Sequence, residues 1–138
     1  MEKDQQEQQE TLFKLSVLEQ HTNQLQQQLE AVDQGISELD SLSSDLDELI
    51  GSEGKEVLTS VGKGIFTRTK LLSENLIMDV GNKNFVKKSI PETQEIIKKQ
   101  IKKLEEVKEE LNENLRLVHK EIEKVIGSVK KDTSVKIN

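Results

Sequence analysis

The chain has 138 residues, 33% of them hydrophobic, 33% charged and 2% aromatic, with no Cys, one Pro, seven Gly and a net charge of −6. Large apolar side chains supply most of the area that offsets chain entropy, so a compact core of ordinary density is excluded. The Leu, Ile and Val are nevertheless spaced regularly, which excludes a simple disordered chain and requires long helices whose apolar stripe is buried by a partner.

The absence of cysteine removes disulfides, thiolate metal sites and thiol nucleophiles, and suits a reducing, cytoplasmic setting. Met1 to Glu10 is acidic and rich in Gln. It lacks a basic leader, and the chain has no run approaching the ~20 apolar residues of a membrane span, so a soluble protein with no membrane partner is expected. Residues 1–50 carry 12 acidic and 2 basic side chains, a net −10, and residues 51–138 carry 14 and 18, a net +4. An acidic first third followed by a basic remainder suits an antiparallel pair within one chain. A nucleic-acid partner would favour a basic protein overall, and none is expected here.

The first element is a helix over about 8–51. Leu15, Leu18, Thr22, Leu25, Leu29, Val32, Ile36, Leu39, Ser43, Leu46 and Ile50 alternate steps of three and four. That period of 3.5 defines one strand of a left-handed coiled coil, with Thr22 and Ser43 as polar gaps. Gly35 within the run costs about 1 kcal/mol relative to Ala and softens the helix.

Over about 56–88 the period changes to two. Short runs at Val57 to Val61, Ile65 to Leu71, Leu76 to Val80 and Phe85 to Lys88 are separated by Gly62-Lys63-Gly64, Ser73-Glu74-Asn75 and Gly81-Asn82-Lys83-Asn84. These separators tolerate positive φ or form side-chain turns, so the segment reads as two β-hairpins.

A second helix follows over about 90–129, announced by Ser89-Ile90-Pro91-Glu92, with Ser89 as cap, Glu92 closing a capping box and Pro91 in the first turn. Its seam is Ile97, Ile101, Leu104, Lys108, Leu111, Leu115, Val118, Ile122, Val125 and Val129, broken only by Lys108. Residues 130–138 read as a mobile tail whose Val135 and Ile137 add apolar points. The fold class is therefore α+β, a single domain over 1–138 in which a long antiparallel helical hairpin carries two small β-hairpins at its closed end. So small a sheet cannot bury enough area to stand alone, which predicts that other chains complete it.

Leu58-Thr59-Ser60-Val61-Gly62-Lys63-Gly64-Ile65-Phe66, then Ile77-Met78-Asp79-Val80-Gly81 and Phe85-Val86-Lys87-Lys88-Ser89, between two such helices, resemble the central region of α-class prefoldin subunits. Ser60 stands where that family often has Pro. The resemblance implies a hetero-hexamer of two α-class and four β-class subunits. The hairpins would join an oligomeric β-barrel platform, and the coiled-coil tips would hold unfolded client proteins for a group II chaperonin. On that basis Val57, Val61, Ile65, Phe66, Ile77, Met78, Val80, Phe85 and Val86 are assigned to subunit assembly.

Leu12, Phe13 and Val17 fall beside the first seam, and Ile126 beside Val125 and Val129 of the second. In an antiparallel pair the two groups meet at one tip. An exposed apolar cluster on a charged helix pair suits capture of non-native chains, so Leu12, Phe13, Val17, Val125, Ile126 and Val129 are the expected client-binding residues.

Other chemistry is missing from the pattern. No glycine spacing makes a phosphate cradle, and His21 and His119 have no carboxylates arranged around them, so no cofactor, no metal and no enzyme activity are expected. The alternative to an ATP-independent holdase is a structural coiled-coil adaptor that binds one specific folded partner.

Overall fold

The computed structural model describes residues 2–137, and the side chains of residues 2–129. In order, the elements are α1 (Glu2–Leu49), β1 (Glu56–Gly62), β2 (Ile65–Lys70), β3 (Leu76–Asp79), β4 (Phe85–Lys88) and α2 (Ile90–Ile137). The predicted α+β class and the two hairpins between two helices are present. Two compact units result, Met1–Gln34 with Glu105–Asn138, and Gly35–Leu104.

In the first unit, α1 and α2 run antiparallel along the predicted seam. Leu25 and Val118 are buried, and Leu15, Leu18, Thr22, Leu29 and Val32 of α1 and Leu111, Leu115, Ile122 and Val125 of α2 are half-buried. The polar breaks are accommodated locally. Thr22 donates its hydroxyl to the Leu18 carbonyl, 2.9 Å away. Lys108 occupies an apolar position, and its Nζ lies 2.7 Å from Oδ1 of Asp33, so the seam is closed there by an ion pair. On the outer face of α2, Arg116 forks onto Glu113 at 2.6 and 3.0 Å. Hydrogen bonding to Arg116 holds the Glu113 carboxyl below its ordinary range. α1 begins at Glu2, earlier than predicted, because Glu, Lys and Gln are strong helix formers and Glu2 and Asp4 sit where the helix dipole favours negative charge.

The second unit holds the small apolar cluster of Leu46, Ile90 and Ile97, against which Leu39, Leu49, Leu76 and Ile101 pack. Ser43 leaves a gap that Gln94 fills: its Nε2 donates to the Ser43 carbonyl at 3.2 Å and to Asp47 Oδ1 at 2.6 Å. At Gly35 a Cβ would stand 3.4 Å from Cδ1 of Leu104, an ordinary van der Waals contact that leaves room for a methyl group.

α1 stops at Leu49 rather than near residue 51, and Gly51 takes the left-handed conformation (φ 78°) just beyond it. Leaving the helix there moves the last apolar contact from Ile50, which is exposed, to Leu49. At the start of α2 the Ser89 hydroxyl oxygen accepts the Glu92 N–H at 3.2 Å, the cap the sequence predicts. The Glu92 carboxylate lies 3.9 Å from Lys88 Nζ, where a capping box would turn it back to the Ser89 N–H. The backbone of α2 runs on to Ile137, which replaces the predicted end at Val129. Residues 130–137 contain neither Gly nor Pro, so nothing in the chain stops the helix. The side chains of the predicted tail lie outside the described residues.

β1 and β2 form one two-stranded antiparallel sheet and β3 and β4 another. Glu56 to Ser60 pair with Lys70 to Phe66, and a bulge at Val61 brings Gly62 opposite Ile65. Lys63 (φ 51°) and Gly64 (φ 78°) then make the two-residue turn with positive φ at both positions that suits strand twist. In the second hairpin Leu76, Ile77, Met78 and Asp79 face Lys88, Lys87, Val86 and Phe85. Asn82 and Lys83 repeat the positive-φ turn, closed by Asn84 N–H donating to the Gly81 carbonyl at 2.9 Å. Glu74, between the hairpins, accepts the Gly51 N–H.

Two substitutions test these local arguments by denaturant unfolding. Ser89→Ala loses the cap and is expected to lower stability by about 1 kcal/mol, with Ser89→Asp restoring it. Gly35→Ala is expected to raise stability by up to about 1 kcal/mol, since the flexible Leu104 end absorbs the new methyl; a loss instead would show that the helices there cannot give.

Candidate functional site

Two surfaces gather uncovered apolar side chains, one in each unit, apart from Leu42, Val107 and Leu117, which are exposed singly on the helices. The first lies where α1 begins and the predicted seam of α2 finishes. Leu12 and Phe13, at 66% and 71% exposure, and Val17 stand on α1 beside the seam residues Leu15 and Leu18, so a narrow period of 3.5 leaves them no place inside. On α2, Ile126 and Val129 are exposed and Val125 is half-buried. A shallow groove of about 280 Å³ is lined by Phe13, Lys14, Val17, Leu18, Glu121 and Val125. Phe13, Val17 and Val125 are thus brought together. Leu12, Ile126 and Val129 are exposed but do not line that groove. Lys14 and Glu121 at its rim were not singled out by periodicity, because a charged residue beside a seam is the ordinary case in a coiled coil.

The second surface is the pair of hairpins. Each strand bonds to one partner, so each keeps a free edge. Strand alternation sorts the residues assigned to assembly. In β3 and β4, Leu76, Met78, Val86 and Lys88 share one face and are half-buried, with Leu76 packed on the Leu46, Ile90 and Ile97 cluster. Ile77 and Phe85 share the other face and are exposed, as is Val80 beyond the strand. Met78 and Val86 therefore face inward within their own chain.

The first hairpin has no such inner face. Val61, Ile65 and Phe66 are exposed, and Val57 is half-buried beside Thr69. Leu58 and Leu72, at 70% and 82% exposure, belong to the same uncovered surface and escape the sequence reading. Period-two alternation flags Leu58 and Phe66 as one face, but with both faces open the alternation gives no way to choose between them. Leu72 sits in the linker, where no period applies. Between β1 and β2, the Thr59 and Thr69 hydroxyls bond to each other at 2.5 Å.

Among the described residues no group of three or more His, Cys, Asp or Glu could hold a metal ion. His21 and His119 are exposed on different helices. Among the described residues no helix is long and apolar enough to cross a membrane.

Comparison with known proteins gives a consistent result. Over 90 residues the chain is 33% identical to prefoldin subunit alpha of Methanobrevibacter smithii, covering 64% of this chain and 62% of that protein. Over 95 residues it is 26% identical to prefoldin subunit alpha of Methanosphaera stadtmanae, covering 69% of each. The first of these matches spans less than two thirds of its relative. In fold the chain is similar to filamentous PFD from Methanocaldococcus jannaschii, solved by cryo-EM, with a TM-score of 0.73 and 22% identity over 83% of this chain and 96% of that one. The family model described as prefoldin subunit matches residues 18–129, and the matched stretch takes in the first seam from Leu18, both hairpins and the second seam. The chain belongs to the prefoldin family.

Proposed function

We propose that this chain is an α-class subunit of an ATP-independent holdase that captures unfolded proteins and works in the cytoplasm. The observation that carries the reading is the uncovered apolar group of Leu12, Phe13 and Val17 with Ile126 and Val129, set on helices rich in charge and Gln that otherwise expose large apolar side chains only singly, at Leu42, Val107 and Leu117. A catalytic pocket needs convergent polar groups, and a specific adaptor needs a surface of defined shape. A shallow apolar groove supplies neither, but it accepts any chain that exposes apolar side chains.

The energetics then require more than one subunit. Burying one large apolar side chain contributes about 1.5–3 kcal/mol before ordering costs, which by itself gives a very loose complex. Several tips held together raise the effective concentration of each for the same client. The exposed hairpins, with four free strand edges and Leu58, Val61, Ile65, Phe66, Ile77, Val80 and Phe85 uncovered, are suited to hold them together. Support comes also from the relatives named prefoldin subunit alpha, whose name implies partner subunits. On this reading the partners are β-class subunits, four of them with two copies of this chain, and the captured client passes to a group II chaperonin.

The test is suppression of aggregation of a denatured client, without ATP, by the chain assembled with β-class subunits. Leu12→Ser with Phe13→Ser is expected to reduce suppression several-fold while the assembly keeps its size, since both positions lie off the seam. Unchanged suppression by an intact assembly would remove the tip from the mechanism. Binding of one folded protein, with indifference to unfolded ones, would replace the holdase by an adaptor.

A further inference from the structure

The groove beside Phe13 does not end at its apolar floor. Phe13 and Lys14 also wall a second hollow, of about 500 Å³, whose other lining residues are Gln6, Gln9 and Glu10. From Gln6 to Leu18 the α1 residues lining the two hollows recur at steps of three and four, so they form one continuous stripe of the helix surface. At 1.5 Å per residue the stripe is about 18 Å long. Its character changes at Phe13: it is apolar toward Leu18, where Val125 of α2 joins it, and rich in primary amides toward Gln6.

These amides have no partner within the chain. Gln6 and Gln9 are exposed, and among the described residues their side chains make no hydrogen bond. A primary amide both donates and accepts, whereas a carboxylate only accepts and an ammonium only donates. A peptide group also does both, so a Gln side chain matches main chain without regard to the side chains it carries. An unfolded client laid on apolar surface alone would lose water from its N–H and C=O groups with nothing in exchange. Amides in the same groove remove that penalty. A helical client segment has those groups already paired and gains nothing from them.

We propose that this stripe holds one extended segment of an unfolded client, with an apolar side chain in the hollow beside Phe13, Val17 and Val125 and main-chain N–H and C=O groups paired with the amides of Gln6 and Gln9. This rests on the holdase reading and names its substrate class: main chain that is extended and not yet hydrogen-bonded. An extended chain rises about 3.3 Å per residue, so the stripe spans about five residues of client. Side-chain identity then matters only at the apolar hollow, which suits a protein that takes many sequences.

The experiment titrates the full-length chain with two labelled peptides, followed by fluorescence anisotropy and by the side-chain NH2 resonances of Gln6 and Gln9. One peptide, of about six residues, carries a single Phe among Ser and Thr. The other is the same peptide with its main-chain nitrogens methylated except at the Phe, which removes donors and adds only apolar carbon. Helical content by circular dichroism checks the folding of each protein variant. The unmethylated peptide is expected to bind about fivefold or more tighter and to shift both NH2 signals. Gln6→Ala with Gln9→Ala is expected to remove that preference, lowering affinity for the unmethylated peptide to that of the methylated one. Phe13→Ser is expected to weaken both. Equal binding of the two peptides, or a preference that survives the Gln variant, overturns the pairing with Gln6 and Gln9; if Phe13→Ser still weakens both peptides, the holdase reading stands without it. Failure of either peptide to bind at all would overturn the pairing and the holdase tip together.

Discussion

The structure depends on a shortage of apolar surface. Among the described residues only Leu25, Leu46, Ile90, Ile97 and Val118 are buried apolar side chains, and no large side chain is fully enclosed. Such a supply covers a narrow seam between two helices and one face of one small hairpin. Everything else apolar stays outside, and its location follows from where the seam cannot reach. In the first unit Leu12, Phe13 and Val17 lie beside the seam, and in the second the first hairpin stands with both faces open. A two-stranded hairpin is at best marginally stable in water, so the β1–β2 pair points to an external partner more directly than any other element.

The same shortage explains the polar devices in the seam. Lys108 bound to Asp33, and Gln94 bound to Ser43 and Asp47, fill positions where a longer apolar run would pack in more than one register. A single polar position in a coiled coil is a recognised way to fix alignment at some loss of stability. Within the first unit, the alignment that Lys108 and Asp33 fix sets which residues meet at the groove lined by Phe13, Val17 and Val125.

Much of this was legible in the chain. The steps of three and four from Leu15 to Leu46 and from Ile97 to Val125 place the seam residue by residue, because a helix of nearly constant period turns spacing directly into facing. Ser89-Ile90-Pro91 fixed the start of α2, since capping is a local matter of one hydroxyl and one N–H. What could not be read depends on context. Ile50 loses its seam slot to Leu49 because the helix ends early. Met78 and Val86 turn inward because hairpin two docks on the Leu46 cluster through Leu76. Leu58 was missed because a strand exposed on both faces gives no preference for either. Near Ile137 the end of α2 was missed because an apolar seam can fade while helix-forming residues continue.

Hydrogen exchange of the β1 and β2 amides, Glu56 to Lys70, compared between the chain alone and the chain with β-class subunits, tests the central claim most directly. A hairpin that lacks a partner in its own chain is predicted to exchange fast alone and to gain protection on assembly, with the α1 and α2 seam protected in both states. Strong protection of those amides in an isolated monomer, unchanged by added subunits, would contradict it.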